Sequence, residues 1–199
     1  MKIGVFVGSF DPVHKGHTDI MNYLVDKKMV DKVLVVATGN YWDKQNITNL
    51  NKRLDMLDFI SSKNIIIDKK HNNLEYTYQV LNTLKEENPN DEFYLVIGAD
   101  NANTLYKWKH YDEIIKYGII VIKRNNMKIN LETKNLIILN NDFISISSTK
   151  IRSDVNKWKE YLNDNVYNYI KINKLYSKPI NKIARYRYNN CISNKYIVV

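Results

Sequence analysis

Gly8-Ser9-Phe10-Asp11-Pro12-Val13-His14-Lys15-Gly16-His17 lies between a short β-branched and aromatic run, Lys2-Ile3-Gly4-Val5-Phe6-Val7, and a segment with helical spacing, Thr18-Asp19-Ile20-Met21-Asn22-Tyr23-Leu24. The stretch is therefore predicted at a strand-to-helix turn, where ligands bind in open parallel sheets. Gly8 and Gly16 allow the backbone to come close to a phosphate or to take a positive φ, and the amides at the following helix start attract anions. His14 and His17 are three apart. With His14 ending the turn and His17 in the first helical turn, both can face one ligand. Imidazoles that carry charge or donate hydrogen bonds near neutral pH suit a phosphoryl oxygen gaining negative charge. The pattern points to nucleotide chemistry.

Outward from this turn, strand-like and helix-like segments alternate. Val33 to Ala37, Asn64 to Asp68, Glu92 to Ile97 and Gly118 to Lys123 read as strands, while Leu50 to Ile60 and Thr77 to Glu87 carry helical spacing. Leu136 to Leu139 and Phe143 to Ile146 are two more short apolar runs, and Lys157 to Tyr176 reads as helical. That order predicts βαβ units, hence the α/β class: a Rossmann-like parallel sheet with helices on both faces and a small helical C-terminal segment. At 199 residues, with three prolines and six glycines marking no linker, one domain over 1–176 is the economical expectation. Residues 177–199, with Lys182, Arg185, Arg187 and Lys195 and no acidic side chain, read as a basic tail without an assigned role.

The formal net charge is +9, which allows nucleic acid, membrane surface or anionic small substrates. The lysines are spread along the chain beside acidic residues, as in Lys85-Glu86-Glu87, so a solvated basic surface is the default. Cys191 is the single cysteine, which excludes an intrachain disulfide and points to a reducing compartment. No apolar run approaches the roughly 20 residues of a membrane span, and the first apolar run is too short for a signal-peptide core. A cytoplasmic protein without membrane partners is expected.

The quoted turn resembles the signature of the nucleotidylyltransferase superfamily, Gly-[Ser/Thr]-Phe-Asp-Pro-x-His-x-Gly-His. Ile146-Ser147-Ser148-Thr149-Lys150-Ile151-Arg152 resembles its other signature, Ile-Ser-[Ser/Thr]-Thr-x-Ile-Arg. Within that superfamily, Gly98-Ala99-Asp100 followed by Leu105 and Trp108 is similar to the Gly-x-Asp-x-x-x-x-Leu-x-x-Trp block of the bacterial nicotinate mononucleotide adenylyltransferases. Tyr76-Thr77, the strand ending in Arg124, and the C-terminal Tyr169-Ile170 with Leu175-Tyr176 resemble further elements of the same family. One departure stands out: Asn40-Tyr41-Trp42-Asp43-Lys44 occupies the place of the family's Pro-Pro-His-Lys element.

The resemblance implies adenylyl transfer from ATP to nicotinate mononucleotide, giving nicotinate adenine dinucleotide and pyrophosphate. It implies His14, His17 and Arg152 as catalytic residues. Gly8, Ser9, Phe10, Gly16, His17, Gly98, Asp100, Ser148, Thr149 and Arg152 would bind ATP. Lys44, Thr77, Trp108 and Arg124 would bind the mononucleotide. Mg²⁺ would arrive with ATP, held mainly by substrate phosphates rather than by a protein metal site. The partners expected are these two small molecules, with nucleic acid disfavoured and the oligomeric state, a homodimer included, left open. Three alternatives remain at this point: a dual-specificity or nicotinamide mononucleotide enzyme, a phosphopantetheine adenylyltransferase, and a nucleotide-sensing or nucleic-acid-binding module on the same fold. For Thr77, helix capping is the structural alternative to substrate binding.

Overall fold

The computed structural model describes residues 1–39, 47–123, 127–140, 143–144 and 146–177. Its six strands are β1 (Lys2–Gly8), β2 (Lys32–Ala37), β3 (Ile65–Asp68), β4 (Glu92–Gly98), β5 (Gly118–Ile122) and β6 (Leu136–Leu139). All pair in parallel, in the order β3-β2-β1-β4-β5-β6. The helices between and after them are α1 (Lys15–Asp26), α2 (Leu50–Asp58), α3 (Thr77–Glu87), α4 (Ala99–Thr104), α5 (Tyr111–Ile114), α6 (Ser148–Ser153) and α7 (Asp164–Ile172). This is the Rossmann-like α/β architecture that the alternation of segments predicts.

Strand residues alternate between two cores, one on each face of the sheet, because successive side chains of a strand point to opposite sides. Phe6, Val33, Val35, Val96, Ile120 and Ile122 pack with Ile20, Met21 and Leu24 of α1, Met56 and Leu57 of α2, and Val166 and Ile170 of α7. Val5, Val36, Leu95, Ile97, Ile119 and Val121 pack with Val80, Leu81 and Leu84 of α3 and with Ala99, Ala102 and Ile114 of α4 and α5. With helices on both sides, β5 is buried at every position. Its unbroken Gly-Ile-Ile-Val-Ile run is the composition a doubly covered parallel strand requires.

Two segments differ from the sequence expectation. Phe143 to Ile146 forms no strand among its described residues. Phe143 instead sets its ring edge-on against Tyr23 at 5.3 Å, and Ile146 is buried. The apolar run seats α1 rather than extending the sheet. Lys157 to Tyr176 is not one helix but a 3₁₀ turn at Lys159–Tyr161 followed by α7. Leu162 takes an extended conformation, and the Asn163 side chain caps the new helix by accepting from the Asn165 N–H at 2.9 Å, the local competition with helix that asparagine favours. Among the described residues no helix is long and apolar enough to cross a membrane.

The α7 helix is fastened to α2 by the Tyr169 hydroxyl, which donates to Asp55 Oδ2 at 2.5 Å. Burial, and then the neighbouring Asp55 carboxylate, push the Tyr169 phenol up from 10.0 to about 12. Because the folded state holds this proton more tightly than the unfolded chain, the contribution is complete below pH 10 and is lost as the pH rises toward about 12. Denaturant unfolding across that window is expected to show a shallower loss of stability for Tyr169→Phe than for the wild type. Tyr94 and Tyr117, raised in the same direction chiefly by burial, leave part of the slope in place. Identical slopes for the two proteins would remove Tyr169 from the account.

Candidate active site

The turn between β1 and α1 carries the site. His14 is the N-cap of α1 and His17 lies within its first turn, as the sequence spacing predicts. The two rings stack, with centroids 3.7 Å apart and planes inclined at 22°. The His14 backbone N–H donates to His17 Nδ1 at 3.3 Å. An Nδ1 that accepts puts the proton of a neutral imidazole on Nε2, leaving Nε2–H as a donor. Phe10 and Phe6 meet the His17 ring edge-on at 5.0 and 6.0 Å, so its orientation is set by packing as well as by the hydrogen bond.

Glycine serves this turn by closeness rather than by handedness. Neither Gly8 nor Gly16 has positive φ; the left-handed residue is Phe10, at φ 47°, a conformation that costs a non-glycine residue on the order of 1 kcal/mol. A Cβ on Gly16 would lie 3.0 Å from the Ile144 carbonyl oxygen and 3.2 Å from the His14 ring. One on Gly8 would lie 3.1 Å from the Phe10 ring. Both positions are tight against neighbours that build the turn.

The chain runs outward from β1 through β2 to β3, then returns to place β4 on the other side of β1. The crevice at this reversal, outside the carboxyl ends of β1 and β4, is where open α/β sheets take ligands. A pocket of about 200 Å³ lies there, lined by Gly8, Phe10, His17, Gly98 and Asp100 among others. Gly98 caps the start of α4, and a Cβ built on it would meet nothing within 4 Å. Asp100, exposed in the first turn of α4, offers a carboxylate to the pocket. His14, only 3% exposed, lines a separate cavity of about 380 Å³ with Lys15, Thr18 and Asp19. The stacked pair therefore divides: His17 faces the crevice, and His14 stands behind it.

Across the turn stands α6. Its N-cap is Ser147, whose hydroxyl accepts from the Lys150 N–H at 3.2 Å. Ser148 Oγ donates to the Pro12 carbonyl at 2.9 Å. Arg152 Nη1 donates to the Asp11 carbonyl at 2.7 Å, and Nη2 donates to Thr149 Oγ1 at 3.3 Å. The second signature is thus docked on the backbone of the first. Its arginine keeps further N–H donors of the planar fork for an anion.

Two side chains beneath the turn escaped the sequence reading. Arg53 of α2 is fully buried and spends its donors on three carbonyls: Nε on Thr48, Nη1 on Ser9 and Nη2 on Thr38, each at 2.8 Å. It ties the turn after β1 to the end of β2 and to the entry of α2. Burial pulls its guanidinium below the ordinary value, and the Asp11 charge works against that shift. Asp11, 1% exposed, accepts from the Thr48 N–H at 3.1 Å and from the Tyr176 hydroxyl at 2.6 Å. A signal for Arg53 was present, since Leu50, Arg53, Leu54 and Leu57 share one face of α2.

For the second substrate, Lys44 and Arg124 lie outside the described residues. Thr77 is the first residue of α3 and is half-buried. The N-cap is its neighbour Tyr76, whose N–H donates to Gln79 Oε1 at 3.0 Å, so Thr77 is not the capping residue. Half-buried Trp108 follows a 3₁₀ turn and packs on the core beneath α3. The two segments meet: Tyr78 and His110 have ring centroids 4.2 Å apart, and Lys109 Nζ lies 4.3 Å from the Tyr76 ring centroid. Among the described residues no three His, Cys, Asp or Glu side chains are grouped to hold a metal ion. A Mg²⁺ carried on phosphate oxygens and water needs no such group.

Residues 5–154 match the cytidylyltransferase-like family. The chain is 33% identical to a probable nicotinate-nucleotide adenylyltransferase of Flavobacterium johnsoniae over 89% of its own length and 100% of that protein. It is 31% identical to one of Acholeplasma laidlawii, over 87% and 97%. Among solved structures it resembles a Plasmodium falciparum nicotinic acid mononucleotide adenylyltransferase complexed with NaAD, with a TM-score of 0.74, 25% identity, and coverage of 88% of this chain and 97% of the other. Two signatures joined across one turn, a crevice at the reversal of strand order and these likenesses agree: the chain belongs to the cytidylyltransferase-like family and, within it, to the nicotinate-nucleotide adenylyltransferases.

Proposed function

We propose that the chain joins the adenylyl group of ATP to nicotinate mononucleotide through the crevice between β1 and β4, with His17 and Arg152 acting on the phosphates. The observation that carries this reading is the convergence of Gly8, His17, Gly98 and Asp100 on one pocket, with Arg152 docked on the adjoining turn. ATP would enter as its magnesium complex, held on substrate phosphates and water, and the metal would supply charge neutralisation for the departing pyrophosphate. A phosphate oxygen of the mononucleotide attacks the α-phosphorus, and the bond to the bridging oxygen breaks. That nucleophile is ionised at neutral pH, so the protein supplies position and charge stabilisation rather than a general base.

His17, with Nε2–H as donor, stabilises an α-phosphate oxygen as charge develops. His14, stacked behind, holds the His17 ring through its own backbone N–H and supports it with its face, and its expected part in catalysis is this placing of His17. Arg152 takes the β or γ phosphate. Asp100 accepts from ribose hydroxyls. Thr77, at the start of α3, and Trp108, on the segment whose His110 and Lys109 meet Tyr78 and Tyr76, receive the pyridine ring, with Lys44 and Arg124 assigned to the same substrate. The single cysteine fits a reducing, cytoplasmic setting.

Acid preference follows from the donors proposed for the ring. A helix start presents N–H groups and a positive field that suit a carboxylate, whereas an amide NH₂ facing them leaves groups unpaired at roughly 1–3 kcal/mol each. Pyrophosphate release with ATP and Mg²⁺ is therefore expected to favour nicotinate over nicotinamide mononucleotide by roughly tenfold to more than a hundredfold in kcat/KM. Thr77→Val should narrow that ratio. Equal use of acid and amide by the wild type would overturn the specificity, and release with neither mononucleotide would overturn the activity.

A further inference from the structure

We propose that Tyr176 is a positioning residue for ATP: by holding the Asp11 carboxylate, it keeps that carboxylate from capturing Arg152 and so leaves the arginine available to the triphosphate. The proposal rests on the reading of Arg152 as a phosphate ligand. Arg152 Nη1 stands 4.0 Å from Asp11 Oδ2 and 2.7 Å from the Asp11 carbonyl oxygen. A small rotation of the carboxylate would close a full ion pair. Two donors prevent it, the Tyr176 hydroxyl on Oδ1 at 2.6 Å and the Thr48 N–H on Oδ2 at 3.1 Å. The carboxylate accepts from a neutral phenol and an amide with the Arg53 charge also acting on it, so its pair with Arg152 stays loose at 4.0 Å and 31% of the arginine side chain remains exposed.

The contact is flanked by left-handed residues. Lys174 and Tyr176 both take left-handed conformations, φ 51° and 59°, and Phe10 beside Asp11 takes φ 47°. Lys174 takes it as the residue that closes α7, where the Leu175 N–H donates to the Ile170 carbonyl at 3.0 Å. Tyr176 and Phe10, neither of them glycine, are held left-handed by their surroundings at or beside the two ends of the hydrogen bond. Burial and the adjoining Asp11 carboxylate raise the Tyr176 phenol well above the ordinary tyrosine value, so it remains a donor throughout the working pH range. Tyr176 reaches the turn from 165 residues away, and it acts through Asp11 and Arg152 without itself lining the crevice.

Tyr176→Phe keeps the ring and removes the donor. Its expected signature is substrate-selective: KM for ATP rises roughly three- to tenfold, the size of one lost hydrogen bond, while KM for nicotinate mononucleotide stays within twofold of the wild-type value. In an Arg152→Lys background the same substitution should change KM for ATP less than twofold, because the residue through which it acts is already compromised. Equilibrium titration with a non-hydrolysable ATP analogue reports only folded molecules and separates this effect from a folding defect. Equal rises for both substrates, additive effects in the two backgrounds, or an unchanged analogue affinity in Tyr176→Phe would each overturn the proposal. If Arg152→Lys alone leaves analogue affinity unchanged, the phosphate role of Arg152 falls first and the proposal with it.

Discussion

His17→Ala is expected to lower kcat by roughly a hundred- to a thousandfold while leaving ATP binding largely intact, the pattern of losing one donor aimed at developing charge. The crevice wall that remains, Gly8, Phe10, Gly98 and Asp100, still receives the nucleotide, so the loss belongs to the transition state. The removed ring also leaves the edges of Phe6 and Phe10 and the face of His14 without their neighbour. His17→Asn is the sharper comparison, since it retains a polar group of similar reach. Single-turnover measurement with both variants separates chemistry from product release. Turnover of the alanine variant within threefold of the wild type would remove His17 from the reaction.

Arg53→Met carries the largest expected cost in stability. The substitution fills much of the same volume but abandons the carbonyls of the half-buried Ser9, Thr38 and Thr48 around a fully buried side chain. It also removes the buried positive charge that acts on Asp11. Removing one member of such a buried set costs about 3 to 5 kcal/mol, a large fraction of the 5 to 15 kcal/mol by which folded domains are typically stable. Chemical denaturation should show the midpoint falling by that amount, and Arg53→Lys should recover little, because one ammonium cannot reach three divergent carbonyls. A loss below about 1 kcal/mol would mean that water or relaxation replaces these bonds.

The strand-turn-helix at the head of the chain was legible because its signals are local: a β-branched run, a polar turn rich in glycine and histidine, then helical spacing. The order of the segments likewise announced the parallel sheet. What stayed hidden depends on distance or on competition. No local pattern predicts that Tyr176 closes on Asp11, or that Ser148 and Arg152 bond to the backbone of Pro12 and Asp11 from 136 and 141 residues away. Arg53 reads as one more solvated cation in a lysine-rich chain, and only its place among Leu50, Leu54 and Leu57 says otherwise. The break before α7 came from an asparagine cap, which overrode the helical spacing on either side. The left-handed turn residue proved to be Phe10, although glycines were at hand, and its ring meets Phe6 and His17 edge-on.

The order of strands also governs how the molecule comes into being. Of the six strands of this sheet, β1 is made before the others yet lies at the centre, and its second neighbour begins at Glu92, paired with Lys2. Until that partner emerges, one long apolar edge of β1 has nothing to pair with, and exposed edges of this kind invite association with other chains. Both histidines have left the ribosome long before the far wall of their crevice, Gly98 and Asp100, exists. A nascent or truncated chain can therefore display the glycine-histidine turn of the first signature while having nowhere to put a nucleotide, and binding becomes a property of the nearly finished fold.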